Sequence, residues 1–380
     1  LSRGTVDVAV VGAGSFGAWT AWHLRQAGLS VRLLDAYGPG NARASSGGES
    51  RVIRVGYGPD EVYSRSSLRS LEEWKALAAE TGESLFHETG VLWLARTGDA
   101  YATATLGTLE RLGVRHESLS PDALAARYPQ FAFAPGTVGV LEPKSGALMA
   151  RRAVQSVVRR AVEKGVAYDS AAVAPPAGSS AVATANGERV SAGTFVFACG
   201  PWLPRLFPEV LGDRIVPTRQ EVFFFGPPAG EGGFAPPRMP AWIDFGEEVY
   251  GLPDLEGRGF KVAPDRHGPP FDPDSGERVV AAESVDRIRA FLARRFPALA
   301  RAPLLETRVC QYENTSNGDF LIDRHPDRKD VWLVGGGSGH GFKHGPAVGR
   351  HVADRIARGA PGEPRFSLTS KKAERRRQVY

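Results

Sequence analysis

The chain is poor in sulfur chemistry: 380 residues include only two cysteines, Cys199 and Cys310, and two methionines. Two thiols cannot build a disulfide framework or a cysteine-rich metal site, and the expectation they set is a reducing, cytoplasmic compartment. No Cys-x-x-Cys spacing occurs, and no metal is expected. Long apolar runs are missing too. None approaches the roughly 20 residues that a membrane-spanning helix needs. The apolar start lacks a basic leader and a small-residue cleavage site, so it reads as a strand and not as a signal peptide. A broad basic surface is also lacking. The formal net charge is +5, but Lys371–Arg377 alone holds five basic residues and one acid, which leaves the rest near neutrality. That pattern excludes a nucleic-acid-binding face and predicts a basic, solvated tail over 366–380. Length and a balanced composition point to a globular chain of two domains.

The start of the chain is informative. An apolar run from Val8 leads into Gly12-x-Gly14-x-x-Gly17, a helix-like pattern follows, and a second apolar run, Val31-Arg-Leu-Leu34, ends at Asp35. This is strand, glycine turn, helix, strand and acid. Gly12 permits the turn, Gly14 lets the backbone approach a pyrophosphate, and Gly17 allows helix and strand to pack closely. The helix N-terminus that follows presents N–H groups and a positive dipole end to phosphate, with Ser15 among the expected cofactor contacts. Asp35 is placed for ribose hydroxyls. The motif predicts dinucleotide binding and by itself leaves NAD and FAD open.

A loop rich in glycine and small polar residues, 38–50, follows and runs into Arg51-Val-Ile-Arg54. Helical spacing over 60–80 predicts a buried stripe of Tyr63, Leu68, Leu71, Trp74 and Leu77. Val91–Leu94 reads as a strand, 99–112 and 121–128 as helices, and 138–148 as irregular strand and loop. Ala150–Lys164 is an amphipathic helix stopped at Gly165. Strands are predicted over 168–176 and 181–190, with a hairpin turn at Asn186-Gly187. The buried strand Thr194–Ala198 delivers Cys199-Gly200-Pro-Trp202, a second glycine at a strand end. Residues 216–324 read as largely antiparallel sheet with one or two helices, interrupted by Pro/Gly loops at 226–240 and 264–282. Near the end, Val331–Val334 runs into Gly335-Gly-Gly-Ser-Gly-His-Gly341 and another helix. The predicted fold is α/β. A discontinuous Rossmann-like dinucleotide-binding domain takes 1–85, 150–215 and 325–365, and a mostly antiparallel substrate domain takes 86–149 and 216–324. Cys310, in an apolar strand, would ordinarily be a small buried hydrophobe.

The combination of Ser50-Arg-Val-Ile-Arg54, Cys310-Gln-Tyr-Glu-Asn-Thr315, Asp319-Phe-Leu-Ile-Asp323 and Gly339-His-Gly-Phe-Lys343 resembles the monomeric sarcosine oxidase and N-methyltryptophan oxidase family, FAD-dependent amine oxidases of the glycine/D-amino-acid oxidase group. The resemblance covers nearly the whole chain, with the motifs in order. It implies FAD held covalently through Cys310, with Arg51 beside the flavin ring. It implies a substrate carboxylate clamped by Arg54 and Lys343, because a carboxylate removed from water needs cations. Lys261 matches a lysine that assists oxygen reduction by placing fixed positive charge where superoxide forms, and Tyr312 belongs to the catalytic set. The expected cofactor lining adds Ser15, Ser45, Ser46 and Val173 to Gly12, Gly14, Gly17 and Asp35. Gly200, Trp202, Gly337, Ser338, Gly339, Gly341 and Lys343 complete it. Cys199 keeps a packing role.

Two departures stand out. Ser46-Gly47 replaces a His-His pair, and Asp265 replaces a histidine four residues after the lysine, with His267 as a shifted equivalent nearby. The expected activity is oxidation of the C–N bond of an N-methyl amino acid such as sarcosine, with O2 reduced to peroxide by a monomeric enzyme. Oxidation of a pipecolate-, proline- or fructosyl-type amino acid, and an FAD dehydrogenase using another acceptor, are the alternatives.

Overall fold

A computed structural model describes residues 5–174, 181–183, 189–230 and 232–372. A seven-stranded sheet is built from distant parts of the chain. Its order is Leu321–Arg324, Val331–Gly335, Arg189–Phe197, Val6–Val11, Val31–Asp35 and Ala167–Ser170, and Ala181–Ala183 adds to Arg189–Phe197. The pairings around Val6–Val11 are parallel, and Leu321–Arg324 is an antiparallel edge. Both faces are covered, so Val8–Val11 reads as continuously apolar. The two-residue alternation of the strand sends Val8 and Val10 to one cluster, with Ala18, Trp19, Trp74 and Val348. It sends Ala9 and Val11 to another, with Phe195, Phe197, Phe207 and Leu211. Helices Ser15–Gln26, Ala150–Glu163 and Gly345–Arg358 occupy the first face.

A second sheet has eight strands: Leu304–Thr315, Ile215–Phe225, Phe260–Pro264, Val249–Leu252, Ala241–Asp244, Val91–Arg96, Thr137–Glu142 and Glu117–Leu119. It is antiparallel apart from the parallel pair Ala241–Asp244 and Val91–Arg96. Phe223, Phe225, Phe260 and Trp242 pack on Phe291 and Leu292 of the helix Ala282–Arg295 and on Phe296, which caps it. The alternate residues Val222, Phe224 and Ala263, with Tyr250, form the opposite face, and Lys261 shares that parity. Arg51–Ile53, Gly146–Leu148 and Phe86–His87 form a third, three-stranded sheet.

Several sequence expectations change. The 138–148 region is regular, with Thr137–Glu142 in the middle of a sheet and Gly146–Leu148 in another. Leu321–Arg324 joins the parallel sheet, although the sequence reading grouped it with 216–324. Of the strand read over 168–176, the described residues form Ala167–Ser170, and residues 175–176 and the Asn186-Gly187 turn lie outside the described residues. Leu68 is half-buried, whereas Tyr63, Leu71, Trp74 and Leu77 are buried. The tail expectation also needs correction. Phe366, Leu368 and Lys371 are buried, Leu368 N donates to Asp323 Oδ2 at 2.8 Å, and Lys371 Nζ donates to Arg365 O at 2.6 Å. Burial lowers the Lys371 ammonium to about 8. Apolar anchors at 366 and 368 hold this segment against the sheet edge, and 373–380 lie outside the described residues. Among the described residues no helix is long and apolar enough to cross a membrane.

Candidate active site

Two adjoining cavities lie between the sheets. The larger, about 530 Å³, starts at the first glycine turn and Asp35 and passes Ser45, Ser46, Val173, Gly200 and Trp202. It then reaches Gly337, Ser338, Gly339 and Gly341, and includes Cys310 and Tyr312. The smaller, about 420 Å³, is lined by Arg54, Tyr101, Val222, Tyr250, Asp265, His340 and Lys343. Arg51, Cys310, Tyr312, Gly339 and Phe342 border both and mark their junction.

The larger cavity is made mostly by backbone. Gly12 has φ +103°, and a Cβ on it would lie 2.3 Å from Ala198 O. A Cβ on Gly17 would lie 1.8 Å from Gly12 O, so the helix reaches the strand only through glycine. Gly14 is different: the nearest atom to a Cβ there is Ser46 Oγ at 3.4 Å. Its missing side chain leaves room on the cavity side instead of relieving a backbone clash. Ser15 N donates to Ser46 Oγ at 3.1 Å and Ser15 Oγ to Phe342 O at 2.8 Å, which ties the helix start to the polar loop and the late turn. Asp35 accepts from Ala13 N at 2.7 Å, Tyr37 N at 2.9 Å and Gly38 N at 2.8 Å. A carboxylate has about four acceptor sites, so capacity for a further hydroxyl remains.

Cys310 is half-buried and unpaired to any other cysteine. Arg51 Nη2 lies 3.6 Å from its Sγ and also donates to Ser45 O at 2.6 Å. Tyr312 Oη donates to Asp265 Oδ1 at 3.2 Å, and burial, with Tyr250 beside it, pushes its phenol well up. Lys261 is buried and lines neither cavity; its Nζ donates to Ser50 O at 2.7 Å, beneath the strand that carries Arg51. Burial, then the Arg51 charge, holds its ammonium well below the usual lysine range. Cys199 is half-buried at the strand end, with its thiol pushed up by burial.

The smaller cavity is made by charged side chains. Arg54 is 6% exposed and its guanidinium is sandwiched 4.1 Å from the Tyr57 ring and 4.2 Å from the Trp93 ring, a geometry that favours a desolvated cation. Its Nη1 donates to Gly56 O. Lys343 is 5% exposed, with Nζ donating to Tyr57 Oη at 2.8 Å and His340 O at 3.0 Å. Burial, then the Arg54 charge, holds its ammonium well below the usual range. Lys343 lines this cavity and not the larger one. Trp74 Nε1 donates to Lys343 O at 2.9 Å and its ring stacks on Phe342, fixing the turn. Asp265 lines the cavity, while the exposed His267 does not. The neighbouring departure has a steric basis: a Cβ on Gly47 would lie 1.8 Å from Asn41 O, so this loop has no room for a side chain there.

Sequence reading missed three supports. Glu142 is buried and accepts from Val55 N at 2.7 Å, Gly56 N at 2.9 Å, Trp93 Nε1 at 2.9 Å and Ser145 Oγ at 2.6 Å. It holds the bend after Arg54 and one ring of the sandwich. Glu313 sits under the late turn, accepting from Gly337 N at 3.1 Å, and burial raises its carboxyl to about 7. His340 and His344 are four residues apart, a spacing that suggests metal, but both face Tyr57 Oη, at 3.2 and 2.8 Å. Among the described residues no group of three or more His, Cys, Asp or Glu could hold a metal ion.

A glycine-turn cavity that shares its far wall with a cavity holding the buried basic side chains Arg54 and Lys343 is the arrangement of a dinucleotide-dependent oxidoreductase. The family described as FAD dependent oxidoreductase matches residues 7–355, and the chain belongs to it. Within it, the chain is 32% identical over 370 residues to a monomeric sarcosine oxidase of Streptomyces avermitilis, covering 95% of this chain and 96% of that one. It is 28% identical over 370 residues to the N-methyl-L-tryptophan oxidase of Salmonella arizonae, covering 96% and 97%. It is thus a flavin-dependent enzyme of the sarcosine-oxidase-like amine oxidase group. Among solved structures, the L-proline dehydrogenase from P. horikoshii has the same fold, with TM-score 0.85 and 21% identity, covering 98% of this chain and 99% of that one. A fructosyl peptide oxidase from E. terrenum gives TM-score 0.80 at 23% identity, covering 97% and 93%.

Proposed function

We propose that the enzyme oxidises the C–N bond of an N-methyl or other secondary amino acid such as sarcosine, with FAD in the larger cavity and the substrate in the smaller. The observation that carries this reading is the junction: a thiol, an arginine and a tyrosine where a glycine-turn cavity meets one holding two buried basic side chains, Arg54 and Lys343. The residues fit FAD. The first turn and Asp35 would hold its pyrophosphate and ribose, and Cys310 would attach the flavin through a thioether. Bound there, FAD supplies the two-electron chemistry that turns an amine into an imine, which water hydrolyses.

The chain's own residues supply position and charge. Arg54 and Lys343 bind the substrate carboxylate, and the low dielectric around them strengthens that attraction. The rings of Tyr57 and Trp93 exclude water from the guanidinium and fix its plane. Asp265, in place of a histidine, faces the same space through Tyr312, so the preferred side chain differs from that of a histidine-lined pocket. Lys261 and Arg51 put positive charge beside the junction, where reduction of O2 creates an anion. The bonding of Lys261 Nζ to Ser50 O also favours a second reading, a dehydrogenase that uses a different acceptor.

Acid precipitation tests the cofactor: yellow in the pellet supports attachment through Cys310, and Cys310→Ser moves the colour to the supernatant. A protein that is colourless and takes up no added FAD ends the proposal. Amino-acid profiling with peroxide detection tests the substrate. Replacing Lys261 by Met separates the acceptors. Loss of O2 reactivity with retained dye reduction supports the oxidase, and no change in either supports the dehydrogenase.

A further inference from the structure

Behind the smaller cavity lies a line of hydrogen-bonding groups that carboxylate binding alone does not require. Lys343 Nζ is 2.8 Å from Tyr57 Oη, Tyr57 Oη is 2.8 Å from His344 Nε2, and His344 Nδ1 is 2.9 Å from Ser66 Oγ. Tyr57 and His344 are buried, and Ser66 is half-buried on the helix Glu61–Thr81, next to the exposed Arg65. The line therefore runs from the cavity toward the outside of the helix. Each inner member is amphiprotic: a phenol, an imidazole and a hydroxyl accept a proton at one position and release one at another. Burial raises the Tyr57 phenol and, with the Lys343 charge next in weight, lowers the His344 imidazole, so both stay neutral near neutral pH. The side branch at His340 leads its Nε2 to Gly318 O at 3.1 Å, and a backbone carbonyl cannot pass a proton on.

Two basic side chains share this space, and the charge of Arg54 opposes protonation of Lys343. A carboxylate entering the cavity reverses that balance. We propose that Lys343–Tyr57–His344–Ser66 is a proton relay that charges Lys343 as a substrate carboxylate enters and discharges it as the product leaves. The inference rests on the reading that this cavity receives a carboxylate. On entry, Tyr57 Oη gives its proton to the Lys343 amine, His344 Nε2 gives one to Tyr57, Ser66 gives one to His344 Nδ1, and water replaces the proton of Ser66. Lys343 gains one proton, every other member ends with as many as it had, and nothing is oxidised or reduced. His344 finishes in its other tautomer, and the reverse passage on product release resets it. Other charges face the line. Arg54, Tyr101, Asp60 and Glu142 act on Tyr57, and Asp265 and Glu142 act on Lys343. His340 and Lys343 act on His344, whose ring also contacts Tyr63 at 5.5 Å.

The test uses methoxyacetate, a carboxylate carrying an ether oxygen where the amine nitrogen would be, mixed with the flavin-loaded enzyme in weak buffer containing a pH indicator. The flavin spectrum reports binding and the indicator reports protons. Wild type should take up about one proton per bound ligand. His344→Phe and Ser66→Ala should slow the uptake roughly tenfold or more while leaving its stoichiometry unchanged, and Lys343→Met should abolish it. His344→Gln, which keeps a polar group in place, substitutes if the Phe variant does not fold. Uptake at wild-type speed in folded His344 and Ser66 variants overturns the relay. Binding without proton uptake in wild type also overturns it and leaves the carboxylate reading standing. Failure of methoxyacetate to bind at all removes both.

Discussion

The two cavities are built from different materials. The larger is shaped by main chain: glycine turns at the ends of parallel strands, a helix start, and a carboxylate occupied with backbone N–H groups. The smaller is shaped by side chains, with two cations held by aromatic faces and by a buried glutamate from a different sheet. A backbone-built site tolerates little substitution at its glycines and depends weakly on particular charges. A site built by side chains can lose its chemistry while its fold stays intact.

The sharpest way to break the comparison lies within one motif. Gly17→Val should yield no folded flavoprotein, because its Cβ would lie 1.8 Å from Gly12 O. Gly14→Ala, with 3.4 Å to its nearest neighbour, should fold and bind FAD about 10- to 100-fold more weakly. Soluble yield and flavin absorbance check both, and equal behaviour of the two variants would contradict the separate roles. Next in size, Arg54→Met should leave flavin content unchanged and lower kcat/KM by roughly a hundredfold, about 3 kcal/mol for a lost buried charge pairing. Steady-state kinetics beside a flavin spectrum would show whether the smaller cavity is separable in this way.

A smaller effect is expected for Glu142→Gln. The amide keeps the volume but cannot accept from all four donors, so Arg54 loosens. KM for the carboxylate substrate should rise about tenfold, with a fall of a few degrees in melting temperature. An unchanged KM would mean that Arg54 is held by its rings alone.

A pH-dependent effect on stability belongs to the backbone-built cavity. Glu313 titrates near 4.5 when unfolded and at about 7 in the fold. The folded state therefore holds the proton more tightly, and the stability this contributes is present below pH 4.5 and is lost as pH rises to about 7. The full span is at most about 3 kcal/mol. Glu313→Gln should flatten this part of the stability–pH curve, and denaturant titrations at several pH values would measure it. A curve unchanged from wild type would assign the pH dependence to other groups.

Legibility in the sequence followed the same division. Gly12, Gly14, Gly17, Asp35 and the late glycine run were readable because a glycine turn at a strand end is a local pattern with a local cause. The antiparallel character of 216–324 was readable from strand periodicity. Residues 138–148 read as irregular strand and loop in sequence; Gly139 and Pro143 weaken local strand propensity, and pairing of Thr137–Glu142 with Val91–Arg96 and Glu117–Leu119 overrides that. Arg54, Lys343, Cys310 and Lys261 were named through family resemblance; taken singly, each is an ordinary residue. Glu142, Tyr57, Trp93 and Glu313 carried no signal, because what makes each important is a partner tens to hundreds of residues away.

The amino-acid sequence by itself determined the dinucleotide turn, the discontinuous α/β plan and the family, since these rest on short-range spacing and the order of motifs. Only the tertiary structure decided that Arg54 is sandwiched and supported through Glu142, that Lys261 lies behind the cavity wall, and that Lys343 ends a line of proton-bearing groups. Burial and the distance between charges set those properties, and both come into being only when remote segments pack.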